Sequence, residues 1–401
     1  MPRGAQPGPP SRRINVRDMR HSYRYRLYPT RVQAAALHVQ VDEACRLYNA
    51  ALDERRSAWR LHGISLNYYD QANQLRAIRA AGDCGVANFS ACQDVLRRVE
   101  KAFQAFFRRR NSGSERAGYP RFKPRQRYHS LCWPSWGDGC TLRPTGRLYL
   151  QGVGAIKVKW HRPLPADARI KTVTVRRGAG RWCVCFSVEQ ADPEPLPESM
   201  ASVGIDVGLT SFLVTNTGDE VANPRHSRLA ERALRRAQRK AARRQRRSRR
   251  RQKAGQEVAR LHAHIANQRR DFHHKTARVL VHHYGLIAVE DLNTKGLAGS
   301  MLAKSVHDAG WSQFLRILLD KASNAGRLLI AVNPAGTTQA CSACGALVRK
   351  TLAERWHDCH ACGLSLGRDH NAARNILQRA LIERPGWGLQ VPTVGVAHAV
   401  T

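Results

Sequence analysis

Two C-x-x-C turns, CSAC at Cys341–Cys344 and CHAC at Cys359–Cys362, enclose fourteen residues. Zn²⁺ prefers four soft ligands arranged tetrahedrally, and two such turns supply them while leaving a short hairpin between. The second cysteine of each turn is followed by glycine, Gly345 and Gly363. Glycine tolerates the positive φ that lets backbone N–H groups point at thiolates. A redox pair would need only one C-x-x-C. Because protein fills all four positions, the expectation is one structural Zn²⁺ without an open catalytic position. His357 and His360 are read as bystanders, since four thiolates already complete such a site.

Three acids stand in places where a carboxylate needs a reason. Asp206 sits between Ile205 and Val207 in SVGIDVG, and Glu290 follows the apolar run LIAV. Burying a carboxylate there is costly unless something positive holds it. A salt bridge to one of the many arginines is the bland alternative. Asp369, in GRDHNAARNILQRAL, falls at the start of an amphipathic helix, where an acid suits the dipole. A strand-borne Asp, a strand-end Glu and a helix-start Asp together make a cage for two divalent cations. Mg²⁺ takes oxygen ligands and shares substrate phosphate. Two ions can activate the attacking water and stabilise the leaving oxygen of a phosphodiester. Asp291 should point to the opposite face of the strand.

The elements that must position these groups follow from periodicity. SYRYRLYP alternates aromatic and basic residues as an edge strand bounded by Pro29. Thr30 is an N-cap, and Leu37, Ala44, Leu47, Ala51 and Leu52 recur near helical spacing. A second helix sets Val95, Val99, Phe103 and Phe106 against arginines. After the Gly/Ser-rich 111–118, the runs GRLYLQG, GAIKVKWH, RIKTVTVRR and RWCVCFSVE read as strands of a small barrel or sandwich. Cys45, Cys84, Cys92, Cys132, Cys140, Cys183 and Cys185 lack zinc spacing and are read as packing residues. ADPEPLPES is a proline-rich linker. Beyond it a strand–turn–strand opens an alternation of strands and helices, the pattern of an α/β domain.

Lys and Arg number 67 against 30 acids in 401 residues, a net charge of +37. A surface so positive repels itself unless a polyanion neutralises it, which points to nucleic acid. The charge concentrates in 225–253, with fifteen Lys/Arg and one acid. Arg235, Arg236, Arg239, Arg243, Arg246, Arg247 and Arg250 are its candidate phosphate-binding residues; the bland alternative is a solvated or disordered charge run. The N-terminal segment has no apolar h-region, and no run approaches the ~18 apolar residues of a membrane span. A soluble, cytoplasmic protein without a membrane partner is expected.

GIDVG, VEDL and GRDHNAARN resemble the three RuvC motifs of the TnpB family, transposon-encoded proteins also described as OrfB-type transposases, and the cysteines resemble its ribbon. LHAHIANQRRDFHHK, LAKSVHDAGW, YRYRLYPT and GYPRFKPR are similar to further family segments, so the resemblance covers about residues 22 to 378. It implies a multi-domain α/β protein with a β-barrel and a helical lobe, its ribonuclease H-like RuvC nuclease carrying an inserted zinc ribbon. The implied division is a flexible tail 1–21, a first wedge strand 22–29 and a helical recognition lobe 30–112. A β-barrel wedge 113–190 and linker 191–199 follow. The nuclease occupies 200–334 and 367–380 around the ribbon 335–366, before a tail 381–401. It further implies a metal-dependent endonuclease that binds a noncoding guide RNA and cuts matching DNA beside a short adjacent motif, handling double- and single-stranded target. Asp206, Glu290 and Asp369 would be its catalytic magnesium ligands. A compact type V CRISPR effector shares triad and ribbon, an RNA-independent transposase shares the chemistry, and a non-cleaving regulator would lack triad acids. Oligomeric state, guide sequence and adjacent motif are not readable from the residues.

Overall fold

Alternation in HSYRYRLY turns Tyr25 and Leu27 inward and Arg24 and Arg26 outward along strand β1 (His21–Tyr28). In the computed structural model, which describes residues 21–113, 117–191, 193–351 and 353–383, β1 is not an edge. It pairs antiparallel with one neighbour through Tyr23↔Phe186 and with another through Leu27↔Val158. Pro29 lies beyond the strand, so it removes no donor from the ladder, and the arginines occupy a face rather than a hydrogen-bonding edge. Of the expected tails 1–21 and 381–401, residues 1–20 and 384–401 lie outside the described residues, while His21 begins β1 and 381–383 complete the last helix rather than a tail.

The chain divides into two compact units, Met1–Ala191 and Asp192–Thr401. In the first, β1 leads into α1 (Arg31–His62), α2 (Tyr68–Ala80) and α3 (Phe89–Asn111). Thr30 caps α1 in a reciprocal box with Gln33, and Gly63 closes it at φ 64°. Leu37, Ala44, Leu47, Ala51 and Leu52 are all buried on one face. Six strands follow: β2 (Ser130–Trp133), β3 (Cys140–Leu142), β4 (Leu148–Leu150), β5 (Gly154–Lys159), β6 (Arg169–Gly178) and β7 (Arg181–Glu189). With β1 they form an antiparallel sheet in the order β2-β6-β7-β1-β5-β4-β3, whose outer strands are β2 and β3. Trp133, Tyr25, Phe186 and the helical apolar face share one core. Cys45, Cys84, Cys92 and Cys140 are buried in this unit, while Cys132, Cys183 and Cys185 are half-buried.

The second unit begins with a segment that does not run free as a linker. Leu196 N–H donates to Ala325 O at 3.1 Å, and Arg327 donates to Pro197 O at 2.8 Å. Its elements are β8 (Ser202–Val207), β9 (Ser211–Thr215), β10 (Glu220–Ala222), α4 (His226–Ala242), α5 (Arg249–His283) and β11 (Leu286–Glu290). Then come α6 (Thr294–Leu297), α7 (Ala303–Ala309), α8 (Trp311–Asn324), β12 (Leu328–Val332), β13 (Trp356–Asp358), β14 (Ser365–Gly367) and α9 (Arg368–Glu383). The main sheet is ordered β10-β9-β8-β11-β12, with β8, β11 and β12 parallel and β9 and β10 antiparallel. One core gathers Val203, Ile205 and Phe212 with Leu280 of α5 and Phe314 of α8. Another sets Leu286, Ala288 and Ile330 against Ile376, Leu377 and Ala380 of α9. A parallel centre apolar on both faces explains why SVGIDV and LIAV lack polar alternation. Among the described residues no helix is long and apolar enough to cross a membrane.

Candidate functional site

Helix α9 lies so close to β8 that a Cβ on Gly204 would fall 2.2 Å from Ala373 O and 2.8 Å from Leu377 Cβ. Only glycine fits that approach. The close approach brings the first turn of α9, with Asp369, to the end of the strand carrying Asp206. Glu290 ends the neighbouring parallel strand, β11. The three predicted acids therefore converge although they come from three distant stretches of chain. Asp206 is buried, and its carboxyl is pushed well above the usual range by burial, then by the charges of Glu290 and Asp369. Arg368 opposes this rise and pairs with Asp369 at 3.1 Å, but it does not cancel it. The salt-bridge alternative thus holds for Asp369, while the cluster as a whole stays short of positive charge. Glu290 is raised by burial too, against a hydrogen bond from Thr337 and the charge of Arg379. Glu290 and Asp369 both act on the Asp206 carboxyl, and carboxylate oxygens of this kind are the ligands that a divalent cation takes, although the three are not gathered as closely as the ribbon thiols. Asp291 is exposed beside them.

The second cluster is tighter. The four Sγ atoms of Cys341, Cys344, Cys359 and Cys362 all lie within 4.8 Å of one another, and no other group of three or more ligand atoms among the described residues is so gathered. Cys341 to Cys362 and Cys344 to Cys359 are each 3.6 Å. Thiolates about 2.3 Å from zinc stand about 3.8 Å apart at tetrahedral angles, so the group fits Zn²⁺. Gly345 and Gly363 take φ of 77° and 74° and close the two knuckles. Burial resists ionisation of Cys341, yet the N–H groups of Cys344 and Ala343, with His357, bring its thiol down to about 5. At Cys362 the N–H of Leu364 favours the thiolate, but Cys344, Cys341 and Cys359 push it up to about 12. The opposition of its three neighbours at Cys362 is what a bound dication relieves. Buried His357 contacts Lys350 Nζ and exposed His360 stands apart; neither belongs to the four-ligand group.

The basic run folds as two helices, α4 and α5, rather than as a disordered stretch. Ala237 and Ala254 are buried between arginine-covered faces. Arg235, Arg236, Arg239 and Arg243 line a cleft of about 570 Å³ with Arg232, Lys240 and Arg244. Arg246, Arg247 and Arg250 do not line it. The sequence puts one acid in the run, and folding adds another: Glu231 pairs with Arg235 and Lys304, and Glu257 with Lys240, at 2.8–2.9 Å. Glu257 lies past the run and Lys304 on α7, so only folding brings them close.

Sequence reasoning missed a row of amides on α9. Asn371 accepts from Ser342 N–H at 2.9 Å and donates to Ala340 O at 2.7 Å. Asn375 donates to Thr337 O and Ala340 O at 2.8 and 2.7 Å, and Gln378 donates to Ser342 O at 2.8 Å. The signal was present as amide residues four and three apart along one face of the helix.

Three family models match the chain: one described as "Probable transposase" over residues 185–301, "Cas12f1-like, TNB domain" over 311–376 and "Helix-turn-helix domain" over 19–63. Over the described part of the last match the fold is β1 and the unbroken α1. A Streptomyces pristinaespiralis protein named "Putative RNA-guided DNA endonuclease" is 33% identical over 374 residues, covering 91% of this chain and 90% of that one. "Putative RNA-guided DNA endonuclease InsQ" of Escherichia coli K12 is 30% identical over 303 residues, covering 71% and 73%. The protein in a structure titled "Cryo-EM structure of the Cas12f1-sgRNA-target DNA complex" superposes with a TM-score of 0.55 at 15% identity, covering 86% of this chain and 82% of that one, a likeness of fold. By its identity across nine tenths of a relative's length, the chain belongs to the TnpB family of OrfB-type, transposon-encoded proteins.

Proposed function

We propose that this protein is an RNA-guided DNA endonuclease that hydrolyses phosphodiester bonds of guide-matched DNA at Asp206, Glu290 and Asp369. The observation that carries the reading is the convergence of these acids, with Asp206 held well above the carboxylate range by burial and by its two neighbours. Two Mg²⁺, when held by these carboxylates, supply an activated water and charge stabilisation at the leaving oxygen. The chain's own residues do the rest. Asp206, rigid inside β8, fixes the centre of the donor set, while Glu290 and Asp369 flank it from β11 and α9. Arg368, paired to Asp369, keeps that carboxylate oriented. The arginine cleft along α4 and the turn after it holds phosphates by charge rather than by base identity. The helical lobe 30–112 and the sheet 113–190 hold the guide RNA and read the adjacent motif; residues 200–334 and 367–380 cut, and 335–366 form the ribbon. The need for a guide RNA is supported by the names of the relatives and by a charge far beyond what one duplex requires.

The test uses protein stripped of RNA, Mg²⁺ and a plasmid bearing the target specified by its copurified RNA. Cleavage should appear only when that RNA is restored. Equal cleavage without RNA would instead establish an RNA-independent transposase or nuclease. A repeat array beside the gene would assign the same chemistry to a compact type V CRISPR effector.

A further inference from the structure

Glu290 ends β11 with a carboxylate whose hydrogen-bond donor comes from the root of the cysteine ribbon. Thr337 is 2% exposed, and its Oγ1 lies 2.5 Å from Glu290 Oε1 and 3.0 Å from Pro334 O. A hydroxyl has one proton, and a carboxylate accepts it more strongly than a carbonyl does. Thr337 is itself anchored. Its carbonyl accepts from Asn375 Nδ2, which also binds Ala340 O, the residue before Cys341. Asn371 clasps Ala340 O and Ser342 N–H, the latter inside the first knuckle. Arg379 donates to Asn333 O and Ala335 O in the turn leading to Thr337. One helix, α9, thus carries Asp369 at its start and, along the same body, the amides that seat the ribbon root. The root carries the hydroxyl on Glu290.

We infer that Thr337 is a positioning residue: its hydroxyl, held by the Asn371–Asn375 clasp, sets the rotamer of Glu290, so that a seated zinc ribbon is a condition for an assembled acid cluster. Burial alone would leave the Glu290 side chain several rotamers, and a cation site depends on the groups that orient its ligands. The ribbon then has a task inside the nuclease in addition to any contact with nucleic acid. The inference rests on the assignment of Glu290 above, and its test separates the two.

The experiment compares wild type, Thr337→Val, Thr337→Ser and Glu290→Gln as zinc-loaded protein with copurified RNA. Three quantities are read: zinc per chain, Mn²⁺ affinity by paramagnetic resonance, and kcat and KM for target cleavage. Thr337→Val should weaken Mn²⁺ binding and lower kcat by about 10- to 100-fold at unchanged zinc content and KM, with Thr337→Ser within a few-fold of wild type. The inference is overturned if Thr337→Val binds Mn²⁺ like wild type while Glu290→Gln does not. It is equally overturned if the Val and Ser variants lose zinc and Mn²⁺ binding together, since the residue is then only part of the ribbon's packing. Normal Mn²⁺ binding and cleavage by Glu290→Gln would overturn the nuclease assignment of Glu290, and this inference with it.

Discussion

The two ligand clusters of the second unit are built by opposite strategies. The thiols are supplied by two short turns within one small segment, and their backbone conformations, with glycine at φ 77° and 74°, create the geometry almost without help from the rest of the chain. The carboxylates come from β8, β11 and α9, and nothing local brings them together. The difference is one of chemistry as much as topology. Soft thiolates bind zinc tightly enough to organise a short loop by themselves. Crowded carboxylates repel, so a rigid sheet and a docked helix must hold them before any cation arrives.

That contrast breaks most sharply at Asp206. Asp206→Ala should lower cleavage by about 10³-fold or more, because removing one member of a cooperating set removes nearly all of its effect. Guide RNA affinity should stay unchanged, since the basic surface is untouched; a titration of labelled RNA alongside a plasmid-nicking assay measures both. Substantial cleavage by this variant would mean that the acids are structural.

Cys359→Ser probes the self-organising cluster. Zinc measured by elemental analysis should fall from about one per chain towards zero, with loss of solubility or of the ribbon's cooperative unfolding. Retention of full zinc would show that three thiols and His357 suffice.

Gly204→Ala distinguishes the two strategies within one protein. The added methyl meets Ala373 O, so α9 must shift, at a cost of about 1–3 kcal/mol or more. Calorimetry should show a lower Tm and cleavage should fall, yet zinc content should hold, since the knuckles carry their own geometry. Equal loss of zinc would contradict the independence of the thiol cluster.

The smallest expected effect lies on the surface. Changing Arg235, Arg236, Arg239 and Arg243 to Gln should flatten the dependence of log affinity on log salt by about 0.7–0.9 for each phosphate that is no longer neutralised. Changing Arg246, Arg247 and Arg250, which do not line the cleft, should flatten it less. A slope unchanged from wild type in both sets would return the whole run to a merely solvated role.

Much of the acid cluster was legible because Asp206 interrupts one apolar run and Glu290 ends another, where a charge is conspicuous, while Asp369 was legible as an acid at the start of an amphipathic helix. The partners were not. Arg368 is adjacent to Asp369 in sequence, but its pull on Asp206 exists only once α9 packs across β8. Thr337 reads as an ordinary turn residue in NPAGTTQAC until the chain leaving β12 folds back onto Glu290. Glu231 stands four residues before Arg235 and so pairs within the helix, but its second partner Lys304, and the pairing of Glu257 with Lys240, exist only once separate helices pack together.

Periodicity and stereochemistry encode locally the cap at Thr30, the inward faces of β1 and α1, the apolar strands around Asp206 and Glu290 and the two zinc knuckles. Packing at long range settles that β1 takes partners on both edges, that the basic run folds as two helices with a cleft along α4, and that α9 seats the ribbon root while presenting Asp369 to Asp206. The physical reason is range. A turn, a cap or a strand face depends on φ, ψ and side chains a few residues apart. Which edge is paired, how closely a helix may approach a glycine and which hydroxyl meets a carboxylate depend on surfaces whose meeting no local pattern records.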